Sequence, residues 1–286
     1  MPTAAGIYYA ESNDKNTLCP PVILIHGAGS SHQCWPALIR RLPGYRVLVL
    51  DLPGHGRSEG IALQSVTDYA YHLLQFMAAT DIYQAVLVGH SLGGAIALET
   101  AWRFKEHIAA VGMIASSAFF NIPPDLLDYL TNPLTQPDAV QQIQKHFYSK
   151  NTPSATIKQF SSAFPGIRPG VIAGDWMAAG SFDLRLQVPQ IDIPTWIAAG
   201  ADDRLIPPAH AHFLESHLPR ARLQIFSDAG HMLMLEKPQA VSEGLSAFLT
   251  ELTIQREGIR WEIESPASES NDLEQPFGTG LRNRPR

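Results

Sequence analysis

Six short runs of Val, Ile, Leu and Ala, set between longer and partly polar stretches, constrain this chain more than any other feature. They are Val22 to His26, Arg46 to Leu50, Ala85 to Gly89, Ala110 to Ala115, Thr195 to Ala199 and Leu223 to Phe226. Their near-continuous apolar character, in place of strict alternation, fits strands buried on both faces of a parallel sheet. Between them lie stretches of helical pattern: Thr67 to Ala78, Leu92 to Phe104, Pro208 to His217, and a last one near Pro238 to Leu252. This alternation predicts an α/β chain with right-handed crossovers, its mostly parallel central sheet flanked by helices. Ile7-Tyr8-Tyr9-Ala10 is expected to add an antiparallel edge strand.

The rhythm breaks between Phe119 and Val188, where roughly seventy residues stand although a crossover needs far fewer. Within that stretch Val140, Ile143 and Phe147 fall at helical spacing, as do Ile157, Phe160 and Phe164, with Pro123-Pro124, Pro153 and Pro165-Gly166 as punctuation. A helical cap inserted over the carboxyl edge of the sheet is the natural reading. The domain boundaries expected are therefore 1–118 and 189–254 for the core and 119–188 for the cap. From 255 to 286 the chain is rich in Glu, Ser, Pro, Asn and Arg, and is expected to be a disordered tail. No internal repeat is found.

With 286 residues, 45% of them hydrophobic, the chain can bury one good-sized core, so one domain with an insertion is expected. A formal charge of -6 with no cluster of Lys and Arg argues against nucleic acid and anionic membrane surfaces as partners. The two cysteines, Cys19 and Cys34, sit in neither a C-x-x-C nor a Cys/His cluster and read as ordinary reduced thiols. The first residues lack a basic region followed by an apolar run, and nowhere do about 18 apolar residues stand together. A cytoplasmic setting is expected.

The chemistry begins at Gly89-His90-Ser91-Leu92-Gly93, which matches G-x-S-x-G, a sharp strand-to-helix turn that lifts a serine hydroxyl above the sheet. The pattern alone is weak, but here it follows the apolar run Ala85-Val86-Leu87-Val88 and precedes a stretch of helical pattern. The flanking glycines have a mechanical reason, because backbone segments come so close in such a turn that a Cβ would collide. A serine hydroxyl is a poor nucleophile at neutral pH and needs a general base, itself oriented by an acid. Of eleven histidines, His231 stands out: it lies just past the last predicted strand, in Ser227-Asp228-Ala229-Gly230-His231, and completes the chain order Ser, Asp, His. His210 and His212, two apart on a predicted helix, point in different directions and are not read as a metal pair.

For the acid, Asp202 and Asp203 both follow the strand ending near Ala199, and either is in reach of the right place. Asp51 follows an earlier strand and reads as pinning its own loop. The negative charge that develops on a carbonyl oxygen must also be met by preorganised donors. Leu92 N–H, at a helix start beside the nucleophile, is one. Ala28 N–H, in His26-Gly27-Ala28-Gly29-Ser30, is assigned as the other, with Gly27 and Gly29 as alternatives.

Five ordered motifs carry a family resemblance over roughly Ile7 to Leu252. They are His26-Gly27-Ala28-Gly29 with Trp35 after it, Asp51-Leu52-Pro53-Gly54-His55-Gly56-Arg57-Ser58, Gly89-His90-Ser91-Leu92-Gly93-Gly94, Gly200-Ala201-Asp202-Asp203 with Pro207, and Gly230-His231 followed by Glu236 and Pro238. With these the chain resembles the α/β-hydrolase superfamily, in particular its small cap-bearing esterase-like branch of carboxylesterases, carrier-protein methyl esterases, C–C hydrolases and lactonases. The resemblance implies the α/β-hydrolase fold and selects Asp203, three after the glycine and four before the proline, as the acid. It implies no metal or organic cofactor. A serine at 91 argues against the dehalogenase and epoxide hydrolase members, which use an aspartate.

What the resemblance implies about activity is a serine hydrolase forming an acyl-enzyme on Ser91, with a short or medium ester of a small molecule as substrate. The chain would act as a monomer or small homo-oligomer. The cap would close a largely apolar pocket, with Phe119, Phe120, Phe160, Trp176, Met177 and Met232 as lining. The same triad serves C–C hydrolases, lactonases, thioesterases, acyltransferases and cofactor-free haloperoxidases, and some relatives only bind ligands. Intact Ser91, Asp203 and His231 argue against a pure binder.

Overall fold

In a computed structural model, which describes residues 2–12, 19–161 and 168–264, the apolar runs assemble into one sheet. Its strands are β1 (Thr3–Ala4), β2 (Ile7–Ser12), β3 (Val22–Ile25), β4 (Val47–Leu50), β5 (Ala85–His90), β6 (Ile108–Ile114), β7 (Thr195–Gly200) and β8 (Ala221–Phe226). They lie in the order β1-β2-β4-β3-β5-β6-β7-β8. From β4 to β8 every pairing is parallel, while β2 runs antiparallel to β4 and β1 antiparallel to β2. The strand order reverses at β3, so β3 and β5 stand side by side at the centre, and the loops leaving their carboxyl ends face a common crevice.

The two faces of the sheet carry separate cores, and alternate residues of each strand serve them. On β3 and β4, Ile23, Ile25, Leu48 and Leu50 pack under α2 (Val66–Ala79), α3 (Leu92–Arg103) and α8 (Pro208–His217). Val22, Leu24, Val47 and Val49 face the other way, toward Trp35 and the helices α1 (Ala37–Arg40), α9 (Leu233–Glu236) and α10 (Pro238–Glu264). This double burial is the physical reason for the continuous apolar runs. Helix α2 starts where Ser65 accepts a hydrogen bond from Asp68 N–H and returns one to its carboxylate, a side-chain cap for the first turn.

Between β6 and β7 the described residues form α4 (Pro124–Thr131), α5 (Gln136–Gln144), α6 (Ser154–Ser161) and α7 (Pro169–Ser181). Helices α4, α5 and α7 share a small apolar cluster of their own around Leu130, Ala139 and Ile143, against which Leu126, Ile172 and Trp176 pack. Helix α10 runs past residue 254, where the expected core ends, to Glu264. Gln255-Arg256-Glu257 are good helix formers and the next proline is Pro266, so nothing stops the helix at 254. The rest of the expected tail lies outside the described residues, as do the side chain of Phe160 and all of Phe164. Among the described residues no helix is long and apolar enough to cross a membrane.

Candidate active site

Ser91 caps α3 directly at the end of β5, with φ 53° and ψ -120°, a conformation that non-glycine residues adopt only when their surroundings force it. The forcing groups are visible. Ser91 N–H donates to Ile114 C=O at 2.9 Å, and Ser116 Oγ donates to Ser91 C=O at 2.7 Å, so the end of neighbouring β6 and the loop after it clamp the turn. The flanking glycines are required by contact: a Cβ on Gly89 would strike the Gly93 carbonyl, and one on Gly93 would strike the carbonyls of Ile25 and His26.

His231 lies in the loop between β8 and α9, 4% exposed, and its Nδ1 faces Asp203 Oδ2 at 2.9 Å. Because a carboxylate only accepts, Nδ1 carries the proton and Nε2 keeps a lone pair. The other oxygen of Asp203 accepts N–H bonds from Leu205 and Ile206, both at 2.9 Å. Asp202 points elsewhere, taking a 2.5 Å bond from Ser149 Oγ in the inserted segment. The pair of aspartates is thereby separated: Asp203 meets the histidine and Asp202 does not.

Three further histidines frame the site. His90 Nε2 donates to the His231 carbonyl at 3.0 Å, and the two rings stand 4.9 Å apart. Burial and the neighbouring His231 lower its pKa to about 3, so it stays neutral. His26 donates from Nδ1 to Gly27 C=O at 2.8 Å and accepts Leu52 N–H at Nε2 at 3.0 Å. Burial and nearby His55 lower its pKa to about 4. With the Gly27 carbonyl held by His26, Ala28 N–H on the same planar peptide points the opposite way. His210, in the first turn of α8, bonds Ser117 Oγ through Nδ1 at 2.7 Å, and burial lowers its pKa. Asp51 takes N–H bonds from His32 at 2.7 Å and Arg57 at 2.9 Å, pinning its own loop to the one after β3. Cys34 is buried and its thiol is pushed up to about 12, so it is inert as a nucleophile.

Ser91, His231, Gly27, Ala28 and Leu92 all line one cavity of about 340 Å³ between the sheet and the inserted helices. Phe120, Trp176 and Met232 line it as expected. Phe119 and Met177 do not, which corrects two of the expected lining residues. Successive residues of extended chain face opposite sides. With Phe120 turned inward, Phe119 instead packs against His210 with the rings tilted and their centroids 4.8 Å apart, under the Arg185 guanidinium at 4.3 Å. Met177 follows Trp176 on α7, about 100° further round the helix, and is 36% exposed. The lining not foreseen includes Ile143, Phe147, Leu205, Ile206 and His210. Ile143 and Phe147 carried a signal in their helical spacing, whereas Leu205 and Ile206 could be found only from the Asp203 loop that folds them inward. A second cavity of about 310 Å³ shares Ala28, Ile143, Phe147 and Trp176 as walls.

Residues 20–238 match the family model described as alpha/beta hydrolase fold. The pimeloyl-[acyl-carrier protein] methyl ester esterase of Vibrio vulnificus (strain YJ016) is 28% identical over 244 residues, covering 80% of this chain and 94% of its own. Its counterpart in Pectobacterium carotovorum subsp. carotovorum (strain PC1) is 27% identical over 261 residues, covering 85% and 98%. Among solved structures, the enol-lactonase from Burkholderia xenovorans LB400 superposes with a TM-score of 0.79 at 21% identity, covering 85% of this chain and 96% of that one. A thermophilic esterase from Thermogutta terrifontis gives 0.77 at 19% identity, covering 86% and 94%. At those identities the two structures speak for the fold alone.

Proposed function

Because the chain belongs to the alpha/beta hydrolase fold family, we propose that it is a serine hydrolase cleaving the carboxylic ester of a small molecule, with Ser91 as nucleophile, His231 as base and Asp203 as its orienting acid. One observation carries the reading. A serine held in a strained turn and a histidine whose Nδ1 proton is held by a buried carboxylate open into the same largely apolar cavity. The near full-length similarity to methyl ester esterases supports a carboxylic ester as the bond.

In this reading Ser91 Oγ attacks the acyl carbon while His231 Nε2 takes its proton, and Asp203 stabilises the imidazolium that forms. The carbonyl electron pair moves onto oxygen, where Ala28 N–H and Leu92 N–H receive it. Leu92 N–H is among the donors that a helix start leaves unsatisfied. The intermediate collapses by expelling the alkoxide, which takes the proton from His231 and leaves as alcohol. Water, deprotonated by His231, then attacks the acyl-enzyme and releases the acid, returning the proton to Ser91. These steps use only the chain's own groups and water. Residues 119–188 act as the cap that shields the acyl-enzyme, and the cavity favours a short or medium acyl chain. The cytoplasm is the compartment we assign, and the chain works as a monomer or small homo-oligomer.

The test is labelling of purified protein with a fluorophosphonate, wild type against Ser91→Ala, followed by turnover of p-nitrophenyl esters of graded length. Labelling that vanishes in S91A, with turnover peaking at one acyl length, is the expected result. Folded wild-type protein that neither labels nor turns over any ester overturns the reading.

A further inference from the structure

A buried carboxylate outside the triad is what the reaction above leaves unused. Asp175 sits in the middle of α7, wholly buried, on the segment inserted between β6 and β7. A carboxylate in that position is costly unless every lone pair is met. All of its donors come from the core. Oδ2 accepts Gly29 N–H at 2.7 Å and His55 Nε2–H at 2.7 Å, and Oδ1 accepts the Tyr69 hydroxyl at 2.6 Å. The other nitrogen of His55 faces the Pro53 carbonyl at 3.0 Å, so both ring nitrogens donate and the ring is an imidazolium. Burial works against that charge, but the charge and hydrogen bond of Asp175 outweigh it and raise the His55 pKa.

Seating α7 needs no carboxylate, since apolar groups of similar volume often replace a buried ion pair at no loss of stability. The distinctive contact is the one to Gly29. Ala28 lies between two peptide planes, and each is held from outside. The Gly27 carbonyl is bonded by His26 Nδ1, which fixes the plane that carries Ala28 N–H. The following plane ends in Gly29 N–H, bonded by Asp175, at a glycine with φ 58°. The rings of His26 and His55 are themselves in contact, with centroids 4.8 Å apart, so the two clamps brace each other.

We propose that Asp175 is a positioning residue for the oxyanion hole: from the inserted helix it fixes Gly29 N–H, and through the Gly27–Gly29 turn it aims Ala28 N–H at the reacting carbonyl. The inference rests on the hydrolase reading above. It makes the seating of the inserted segment a condition for transition-state stabilisation, because the hole is complete only while α7 is docked.

The experiment compares Asp175→Ala and Asp175→Asn with wild type and with Arg168→Ala. Arg168, at the start of the same helix, donates to the Gly54 carbonyl and so anchors α7 without touching Gly29. Loss of an oxyanion donor costs about 10²–10³ in kcat. D175A is expected to lose about 10²-fold in kcat with KM within about threefold. D175N keeps one acceptor for Gly29 N–H and is expected to stand three- to tenfold below wild type. R168A lowers the unfolding midpoint but keeps kcat within about twofold. Folded D175A with kcat within threefold of wild type overturns the proposal, as does R168A losing as much kcat as D175A. Should D175A not fold, D175N decides, and wild-type kcat there overturns it. Hydrogen exchange of the Gly29 amide, slow in wild type, fast in D175A and intermediate in D175N, reads the anchor without turnover. If wild type shows no Ser91-dependent labelling, the hydrolase reading fails while this measurement still stands on its own.

Discussion

At the scale of single residues, the site depends on which of two adjacent carboxylates meets His231. Asp203 does, at 2.9 Å, and Asp202 bonds Ser149 instead. Replacing Asp203 by Asn keeps the volume but can present N–H where an acceptor is needed, favouring the wrong imidazole tautomer, so kcat is expected to fall about 10⁴-fold with KM little changed. Asp202→Asn is expected to keep kcat within about threefold and to cost about 1 kcal/mol of stability through the Ser149 bond. Steady-state kinetics and urea midpoints of the two variants check this, and equal losses of kcat would sink the assignment. Neighbouring residues differ by which way the chain turns them, and that is a property of the loop, not of local composition. For the same reason Ser91 and His231 were legible from the motif and the strand ends, whereas Asp202 and Asp203 were separable only by likeness to a family. The lining was legible only in part, Phe120 turning inward and Phe119 outward.

Elements read well where burial is symmetrical and badly where it is not. The six runs became β3 to β8; β3 to β7 are covered on both faces, whereas β8, at the edge of the sheet, is only partly buried, and Pro208–His217 forms α8 with the expected ends. Helix α7 left no apolar stripe to read, since the face it buries holds Gly174, Asp175, Ala178 and Ala179. Its Gly170 has open space where a Cβ would go and no positive φ. Gly170→Ala is therefore expected to stabilise by about 0.5–1 kcal/mol. Gly93→Ala at the start of α3 drives a Cβ into two backbone carbonyls and should cost several kcal/mol or prevent folding. Thermal midpoints of both variants measure the contrast. The loop bearing His231 is tied to the inserted segment by Glu236, whose Oε1 accepts Gly230 N–H at 2.8 Å while Oε2 accepts Ser149 N–H at 2.9 Å and the Thr152 hydroxyl. Glu236→Ala leaves these donors without their carboxylate. It should cost about 1–3 kcal/mol and lower kcat more than it raises KM. A variant destabilised by that amount with kcat intact would show that Glu236 does not position the base.

For the whole molecule, the buried histidines make stability depend on pH in a direction that follows from their environments. His26 and His90 are held neutral, with pKa values of about 4 and about 3 against an ordinary 6.5. Above pH 6.5 both the folded and the unfolded chain leave them unprotonated, and their contribution is fully present. Below 6.5 the unfolded chain takes up protons that the folded chain refuses, so stability falls as pH drops and is lost as pH passes through the folded values. Each pH unit of that window is worth about 1.4 kcal/mol per proton, so the pair accounts for several kcal/mol. Asp51 adds to the loss. Burial opposes its charge, but bonds from the His32 side chain and from the N–H groups of His32 and Arg57 outweigh burial and hold its pKa below the ordinary value. His55 acts in the other direction: its raised pKa stabilises fully at low pH and ceases to do so as pH climbs through the folded value. The expected profile rises from acid to neutrality and declines on the alkaline side, with its steepest acid limb between about pH 6.5 and 4. Urea midpoints measured from pH 4 to pH 9 trace it. In His90→Gln, which cannot titrate, the acid limb should be shallower than in wild type even though the variant is less stable at pH 8 for want of a good bond to the His231 carbonyl. A wild-type profile that is flat from pH 6.5 to 4 would mean that the folded chain takes up these protons as readily as the unfolded one, and that the histidines around the site are wetter than their burial implies.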